Sequence, residues 1–309
     1  MQAKFYSNGK LLLTGEYLVL DGAKALAIPT IYGQSLKVKS LQNRYLFWRS
    51  KDKNNKIWFE AVFVLKHGNL FLLTEGNPIA RTLHNILWEA KKLNPEFLAK
   101  HKSYQITTKL NFDQSWGLGS SSTLINNIAQ WAAVDAFALL KNSFGGSGYD
   151  IACAQNDVPV VFTNNNGNFT VEKTHLPWTF TDHLFFVYRN KKQDSKKAIA
   201  AYRAITEISE GKHQKEAAIQ AANKLTEAFV ACQTLESFEN LIVAHEQLLS
   251  DLLKIPPVKE ELFPDYKGAV KSLGGWGGDF MLVTGNMQDM AYFSGKGYKT
   301  ILPFDEVIK

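Results

Sequence analysis

The sequence predicts an α+β chain, and three observations carry the prediction. Residues 4–66 fall into short runs of β-branched and aromatic residues separated by Asn, Gly, Asp and Lys; residues from Ser195 to about Leu253 repeat apolar positions at helical spacing; beyond them short strand-like runs return around a glycine cluster. The pattern divides into an N-terminal α+β half, 1–180, and a C-terminal α+β half, 181–309, with a ligand cleft expected between them.

Taken in order, "KFYSNG", "KLLLTGEYLVL", "QSLKVKS", "RYLFWRS" and "KIWFEAVFVLK" read as strands. "PIARTLHNILWEAKKLN" opens on Pro78, repeats Ile79, Leu83, Ile86 and Leu87 on one helical face and closes on Lys91 and Lys92, so it reads as a helix. "SYQITTKLNF" is a strand, followed by a glycine-serine loop and a helix from about Ser121 to Leu140. "NSFGGSGYDIACAQ" is a loop with a short helix; "PVVFTNN", "NFTVEK" and "HLFFVYRN" are strands. The long helical region breaks near "EGKHQ" and "CQTLES". "GAVKSLGGWGGDFMLVTG" reads as strand, glycine turn, strand, and "YKTILPF" as a closing strand.

Composition excludes several classes. With 45% hydrophobic and 21% charged residues in 309, the chain can bury a sizeable core in each half. No run of about 18 or more uncharged apolar residues occurs, and "MQAKFYSNGKLLLTGEY" enters a strand pattern directly, so no membrane span or leader is expected and a cytoplasmic location is. Two cysteines, Cys153 and Cys232, cannot build a disulfide framework or a four-cysteine zinc site. The net charge of +6 (35 minus 29) is spread along the chain, which points away from a nucleic-acid partner.

Four segments carry candidate chemistry. Gly117-Leu118-Gly119-Ser120-Ser121-Ser122 lies between a strand and a helix, where unpartnered N–H groups and the helix dipole favour an anion and glycines allow it close. A phosphate nest and a plain N-cap with a tight turn both remain open on this stretch alone. "SFGGSGYDIACA" holds one acid, Asp150, which suits a helix start or, if a cation such as Lys10 keeps it ionised, proton acceptance from a hydroxyl. "KSLGGWGGDF" has Gly274, Gly275, Gly277 and Gly278, more than one hairpin needs. "YRNKKQDSKKAI" groups Arg189, Lys191, Lys192, Lys196 and Lys197 around Ser195, either a solvated loop or a second anion site. The histidines lack H-E-x-x-H spacing, "GLGSSS" is not G-x-x-x-x-G-K-[ST], and "GGSGYD" is not G-x-S-x-G.

Together these segments resemble the GHMP kinase superfamily over most of the chain: "NGKLLLTGEYLVLDGAKALAIP" its N-terminal signature, "GLGSSS" its nucleotide-phosphate loop and "SLGGWGGDF" its C-terminal glycine motif. "GSG-aromatic-D" at Gly146 to Asp150 and the acid at Asp279 are similar to the mevalonate branch, particularly phosphomevalonate kinases. The resemblance implies the GHMP kinase fold, with a ribosomal protein S5 domain 2-like N-terminal half and a ferredoxin-like C-terminal half. It implies an ATP- and Mg²⁺-dependent kinase acting on phosphomevalonate or mevalonate, a small anionic alcohol or phosphomonoester, as a monomer or homodimer. Gly117, Leu118, Gly119, Ser120, Ser121 and Ser122 would hold ATP, with Ser121 on Mg²⁺. Asp150 would be base or orienter, and Lys10 would stabilise charge on the attacking oxygen and phosphoryl group. Glu16, Ser147, Gly148, Lys192, Ser195, Lys196, Gly275, Gly277 and Gly278 would face the acceptor.

Three departures from the pattern stand out. Asn8 replaces the usual Pro before Gly9-Lys10, Trp276 replaces a small residue, and no Glu lies between Asp113 and Asp150 to hold the metal, leaving Asp135 as a substitute. These departures motivate a rival reading, a catalytically reduced relative that binds nucleotide or metabolite. The residues also leave open a kinase acting on another alcohol, such as a sugar, and, on charge alone, a basic nucleic-acid-binding protein.

Overall fold

The structure, a computed structural model, describes all residues except 1, 43–44, 100–102, 193–194, 208 and 276–277, and leaves the side chains of 195–196 and 209–212 undescribed. It divides into two compact units interleaved along the chain: residues 1–9, 32–114 and 118–155 form the first, and 10–31, 115–117 and 156–309 the second. The expected boundary at residue 180 falls within the second unit.

The strands are β1 (Gln2–Leu12), β2 (Ala25–Leu41), β3 (Tyr45–Lys51), β4 (Ile57–Lys66), β5 (Asn69–Leu72), β6 (Ser103–Leu110), β7 (Val160–Asn165), β8 (Asn168–Lys173), β9 (Leu184–Tyr188), β10 (Val270–Ser272), β11 (Phe280–Thr284) and β12 (Ile301–Pro303). The helices are α1 (Pro78–Leu93), α2 (Ser120–Ala132), α3 (Ala136–Ser143), α4 (Tyr149–Gln155), α5 (Ser195–Thr206), α6 (Ser209–Ala231), α7 (Leu235–Leu253), α8 (Val258–Leu262) and α9 (Ala291–Gly295).

In the first unit the strand order is β5-β4-β3-β6-β2, with β3 and β6 parallel. The pleat of β4 puts Phe59, Ala61, Phe63 and Leu65 on one face, where they meet the apolar stripe of α1 (Ala80, Leu83, Ile86, Leu87, Ala90) and residues of α2 and α3. Asn77 caps α1 by accepting from the N–H groups of Ile79 and Ala80, Pro78 supplies the first turn, and Lys91 and Lys92 complement the last.

In the second unit the first residues of β2 pair with β7, with Leu26 opposite Val161, and β7 pairs with β8. A separate antiparallel sheet has the order β10-β11-β9-β12. Its β9 and β11 are buried along their whole length, which explains why "LFFVY" and "FMLVT" read as unbroken apolar runs.

Several sequence expectations shift. The run "KLLLTGEYLVL" is not one strand: β1 continues from Gln2 to Leu12, then Gly15 (φ 82°) and Tyr17 (φ 60°) turn the chain into a 3-10 turn at Leu18–Asp21. The helix expected from Ser121 to Leu140 is two. Ala133 takes a left-handed conformation (φ 52°), and Asp135 starts α3 by accepting from the Ala138 N–H at 2.7 Å. α6 runs through "EGKHQ", the break lying after Thr206, whereas the break at "CQTLES" stands, with Thr234 capping α7. Strand β5 has no counterpart in the sequence reading.

Candidate active site

Gly119, the N-cap of α2, is left-handed (φ 81°, ψ 37°) and has no side chain with which to cap; Gly117 is left-handed too (φ 67°). Asn77, Asp135 and Thr234 cap their helices through side-chain oxygens, whereas α2 presents its first N–H groups without one. Among the three serines, Ser121 is exposed, Ser120 half-buried and Ser122 buried; Leu118 is buried as the loop's anchor.

A buried polar network places this helix. The Thr123 hydroxyl donates to Gln34 Oε1 (3.0 Å), Asn127 Nδ2 to the Gln34 carbonyl (2.9 Å), Ser7 Oγ to Asn127 Oδ1 (3.0 Å) and Asn126 Nδ2 to Ser7 Oγ (2.9 Å). Asn126 also bonds the far end of α4, giving to the Ala154 carbonyl (3.3 Å) and accepting from Gln155 Nε2 (3.1 Å). The helix carrying the serines and the helix carrying Asp150 are therefore fixed to one another in the first unit. Asp150 is half-buried in the first turn of α4; the Gly148 carbonyl accepts from the Ile151 N–H (2.9 Å), and Ser147 is buried beside it.

In the second unit Lys10, Leu11, Leu12, Trp116, Gly117, Leu273, Gly274, Asp279 and Phe280 line a small pocket. Lys10, the first glycine of the serine loop and the C-terminal glycine turn, distant in sequence, share it. The Asp279 carboxylate lies directly on Gly117: a Cβ added there would sit 2.4 Å from Asp279 Oδ2. Asp279 is itself left-handed (φ 56°) and held on both sides, its N–H donating to the Lys191 carbonyl (2.7 Å) and its carbonyl accepting from the Arg189 N–H (2.8 Å). The backbone of the basic run thus pins the acid that ends the glycine turn. Phe280 packs against Trp116 and Tyr188, and the Tyr188 hydroxyl donates to the Ser115 carbonyl (3.1 Å).

Gly275 is half-buried and Gly278 buried in the turn; Gly277 and Trp276 lie outside the described residues. Lys192 is exposed after β9, and Ser195 opens α5, with the side chains of Ser195 and Lys196 outside the described residues.

Glu16, expected at the acceptor, is fully buried instead. Its Oε1 accepts from Lys271 Nζ at 2.8 Å, and its Oε2 lies 3.3 Å from His245 Nε2. Burial and the Lys271 charge hold His245 well below the usual histidine range, so the approach to Glu16 is not an ion pair; Nε2 instead accepts from the Gly15 N–H at 3.3 Å. Burial raises Glu16, against the pull of Lys271. Asp135, expected as a substitute metal ligand, is an exposed helix cap. Asp21, in the same N-terminal signature, accepts from the Tyr202 hydroxyl (2.6 Å), Arg203 (2.6 Å) and Lys215 (3.2 Å), which joins the 3-10 turn to α5 and α6. Sequence reasoning missed Lys271, His245 and Glu246. The one available signal was a lysine within the strand-like run "GAVKSLG".

No protein-family model matches the sequence, and no curated protein matches it. Solved structures do. A mevalonate kinase from Methanococcus jannaschii superposes with a TM-score of 0.69 at 14% identity, over 98% of this chain and 97% of that one. A phosphomevalonate kinase from Streptococcus pneumoniae, in complex with phosphomevalonate and AMPPNP, gives 0.68 at 15% identity over 95% of each chain. A galactokinase from Lactococcus lactis, complexed with galactose, gives 0.69 at 13% identity over 100% of this chain and 93% of that one. The chain has the fold these kinases share, the α+β GHMP kinase fold that its motifs predict.

Proposed function

We propose that the chain is a GHMP-type small-molecule kinase of the mevalonate branch, transferring the γ-phosphoryl group of ATP to phosphomevalonate or mevalonate with Mg²⁺. The observation that carries the reading is the glycine-serine loop: it opens a helix with no side-chain cap, and its first glycine shares a pocket with Lys10 and the glycine turn.

The amides of Gly119, Ser120, Ser121 and Ser122 would receive ATP phosphates at the positive end of α2. The residues suit Mg²⁺ as a phosphate-borne ion. Ser121 offers the exposed hydroxyl, and among the described residues no group of three or more His, Cys, Asp or Glu could hold a metal unaided. When bound, Mg²⁺ neutralises charge on the phosphates. Asp150, at the start of a helix braced against α2, orients or deprotonates the acceptor hydroxyl, and Lys10 stabilises the negative charge that develops.

The fold likeness to the mevalonate kinase equals that to the galactokinase, so it does not choose the acceptor. The basic run from Arg189 to Lys197 favours an acceptor that already bears phosphate, because a second phosphate needs its own donors. A sugar or other neutral alcohol is the second reading. A coupled assay with ATP and phosphomevalonate, mevalonate or galactose decides between them. Turnover of phosphomevalonate above the others is expected, and turnover of neither mevalonate compound sinks the branch assignment.

A further inference from the structure

We infer that Lys271 is a positioning residue for this site: paired with Glu16 inside a buried four-residue cluster, it fixes the chain that follows Lys10 against the strand that enters the glycine turn. The inference rests on the kinase reading for what is positioned.

Lys271 is fully buried on β10, and an ammonium in that place is costly unless paired. Its Nζ donates to Glu16 Oε1 at 2.8 Å and to the Ser272 carbonyl at 3.1 Å, with Glu246 Oε1 at 3.6 Å. Glu246, on α7, accepts from the Ser272 N–H at 3.1 Å. Ser272 is thus held at both its N–H and its carbonyl, immediately before Leu273 and Gly274 of the pocket wall. On the other side, His245 accepts from the Gly15 N–H, three residues beyond Leu12 of the opposite wall. Gly15 packs so closely on Lys24 and Ala25 that a Cβ would lie 2.6 Å from the Lys24 carbonyl oxygen. Both pocket walls therefore run into one cluster.

The cluster is poorly arranged for stability alone. One ammonium serves two carboxylates, and Glu16 Oε2, His245 Nδ1 and Glu246 Oε2 are buried with no hydrogen-bond partner among the described residues. Apolar side chains of the same volume would hold the elements together at least as well. What an apolar set lacks is a directional bond that sets Ser272 and Glu16 at one distance and angle.

The test compares the wild type with Glu16→Met/Lys271→Met, which replaces the pair by apolar side chains, and with Lys271→Arg, which keeps the charge but alters its geometry. Four quantities are read: urea midpoint, AMPPNP affinity, amide exchange of residues 273–280, and kcat and KM with whichever acceptor the wild type turns over. Read at about pH 6, where Glu246 keeps its proton and is not left as an unpaired charge, the double variant is expected to keep its midpoint and bind AMPPNP within a few-fold, yet exchange the amides of the turn faster and lose about tenfold or more in kcat at little-changed KM. If it does not fold, Lys271→Arg at wild-type stability is expected to show the same split. Wild-type kcat and wild-type amide exchange in a folded variant overturn the inference. Should the wild type bind no AMPPNP and turn over no acceptor, the kinase reading fails by itself, and the amide exchange still decides whether the cluster sets the turn.

Discussion

The carboxyl of Glu246 supplies the most quantitative prediction. Burial raises it to about 7 from an ordinary 4.5, against the attraction of Lys271 and with the like charge of Glu16 adding to the rise. Between those values the folded chain holds a proton that the unfolded chain releases. The contribution is therefore fully present below pH 4.5 and lost as pH rises through about 7. At 1.36 kcal/mol for each pH unit between the two, the full contribution is about 3 kcal/mol, most of which disappears between roughly pH 5 and pH 8. Glu246→Gln cannot titrate but keeps an oxygen for the Ser272 N–H. Urea denaturation of both proteins across that range should show the wild type losing roughly 2–3 kcal/mol relative to the variant. His245 works the opposite way. Held below 6.5, it contributes stability above 6.5 that is lost on acidification, in both proteins equally. A difference between wild type and Glu246→Gln that stays flat with pH refutes the reasoning.

Other outcomes follow from the site. Gly117→Ala should cost about 1–2 kcal/mol for its left-handed backbone and, because its Cβ meets the Asp279 carboxylate, weaken AMPPNP binding at least tenfold. Gly76→Ala, also left-handed (φ 73°) but in open space, should show the backbone cost alone in calorimetry and leave binding intact. Asp150→Ala should bind AMPPNP as the wild type does while losing about 10²-fold or more in turnover, and full activity would remove the acid from the mechanism. Thr234→Val, which deletes the cap accepting from the Ser237 N–H, should lower stability by about 1 kcal/mol in urea melts without altering kcat.

What sequence reasoning could reach depended on the range of the interaction. The α1 boundaries were readable because Asn77, Pro78 and the terminal lysines act within a turn of their targets. The break between α2 and α3 was missed because apolar spacing persists through "AAVDAF", although Asp135 as a cap is a local signal that could have been weighed. The GHMP motifs pointed to the fold, and the structure brings Lys10, Gly117 and the glycine turn to one pocket. The role of Glu16 was out of reach. Its partner Lys271 lies 255 residues away, and nothing near either residue distinguishes a buried pair from a ligand contact. Asp279 was noted as a motif ending. Its contact with Gly117 and its left-handed backbone come from tertiary packing.

The interleaving of the two units restricts how such a chain can be cut or recombined. The path passes between them at residues 9/10, 31/32, 114/115, 117/118 and 155/156, and β1 and β2 each contribute residues to both. A fragment beginning at residue 181 would lack Thr30 and Ile31, which pair with Ile308 and Val307, so its last residues would lose their partners. No single crossover in the gene separates one unit from the other. Exchange of one whole unit between two chains of this fold therefore takes a crossover at each of these five passages.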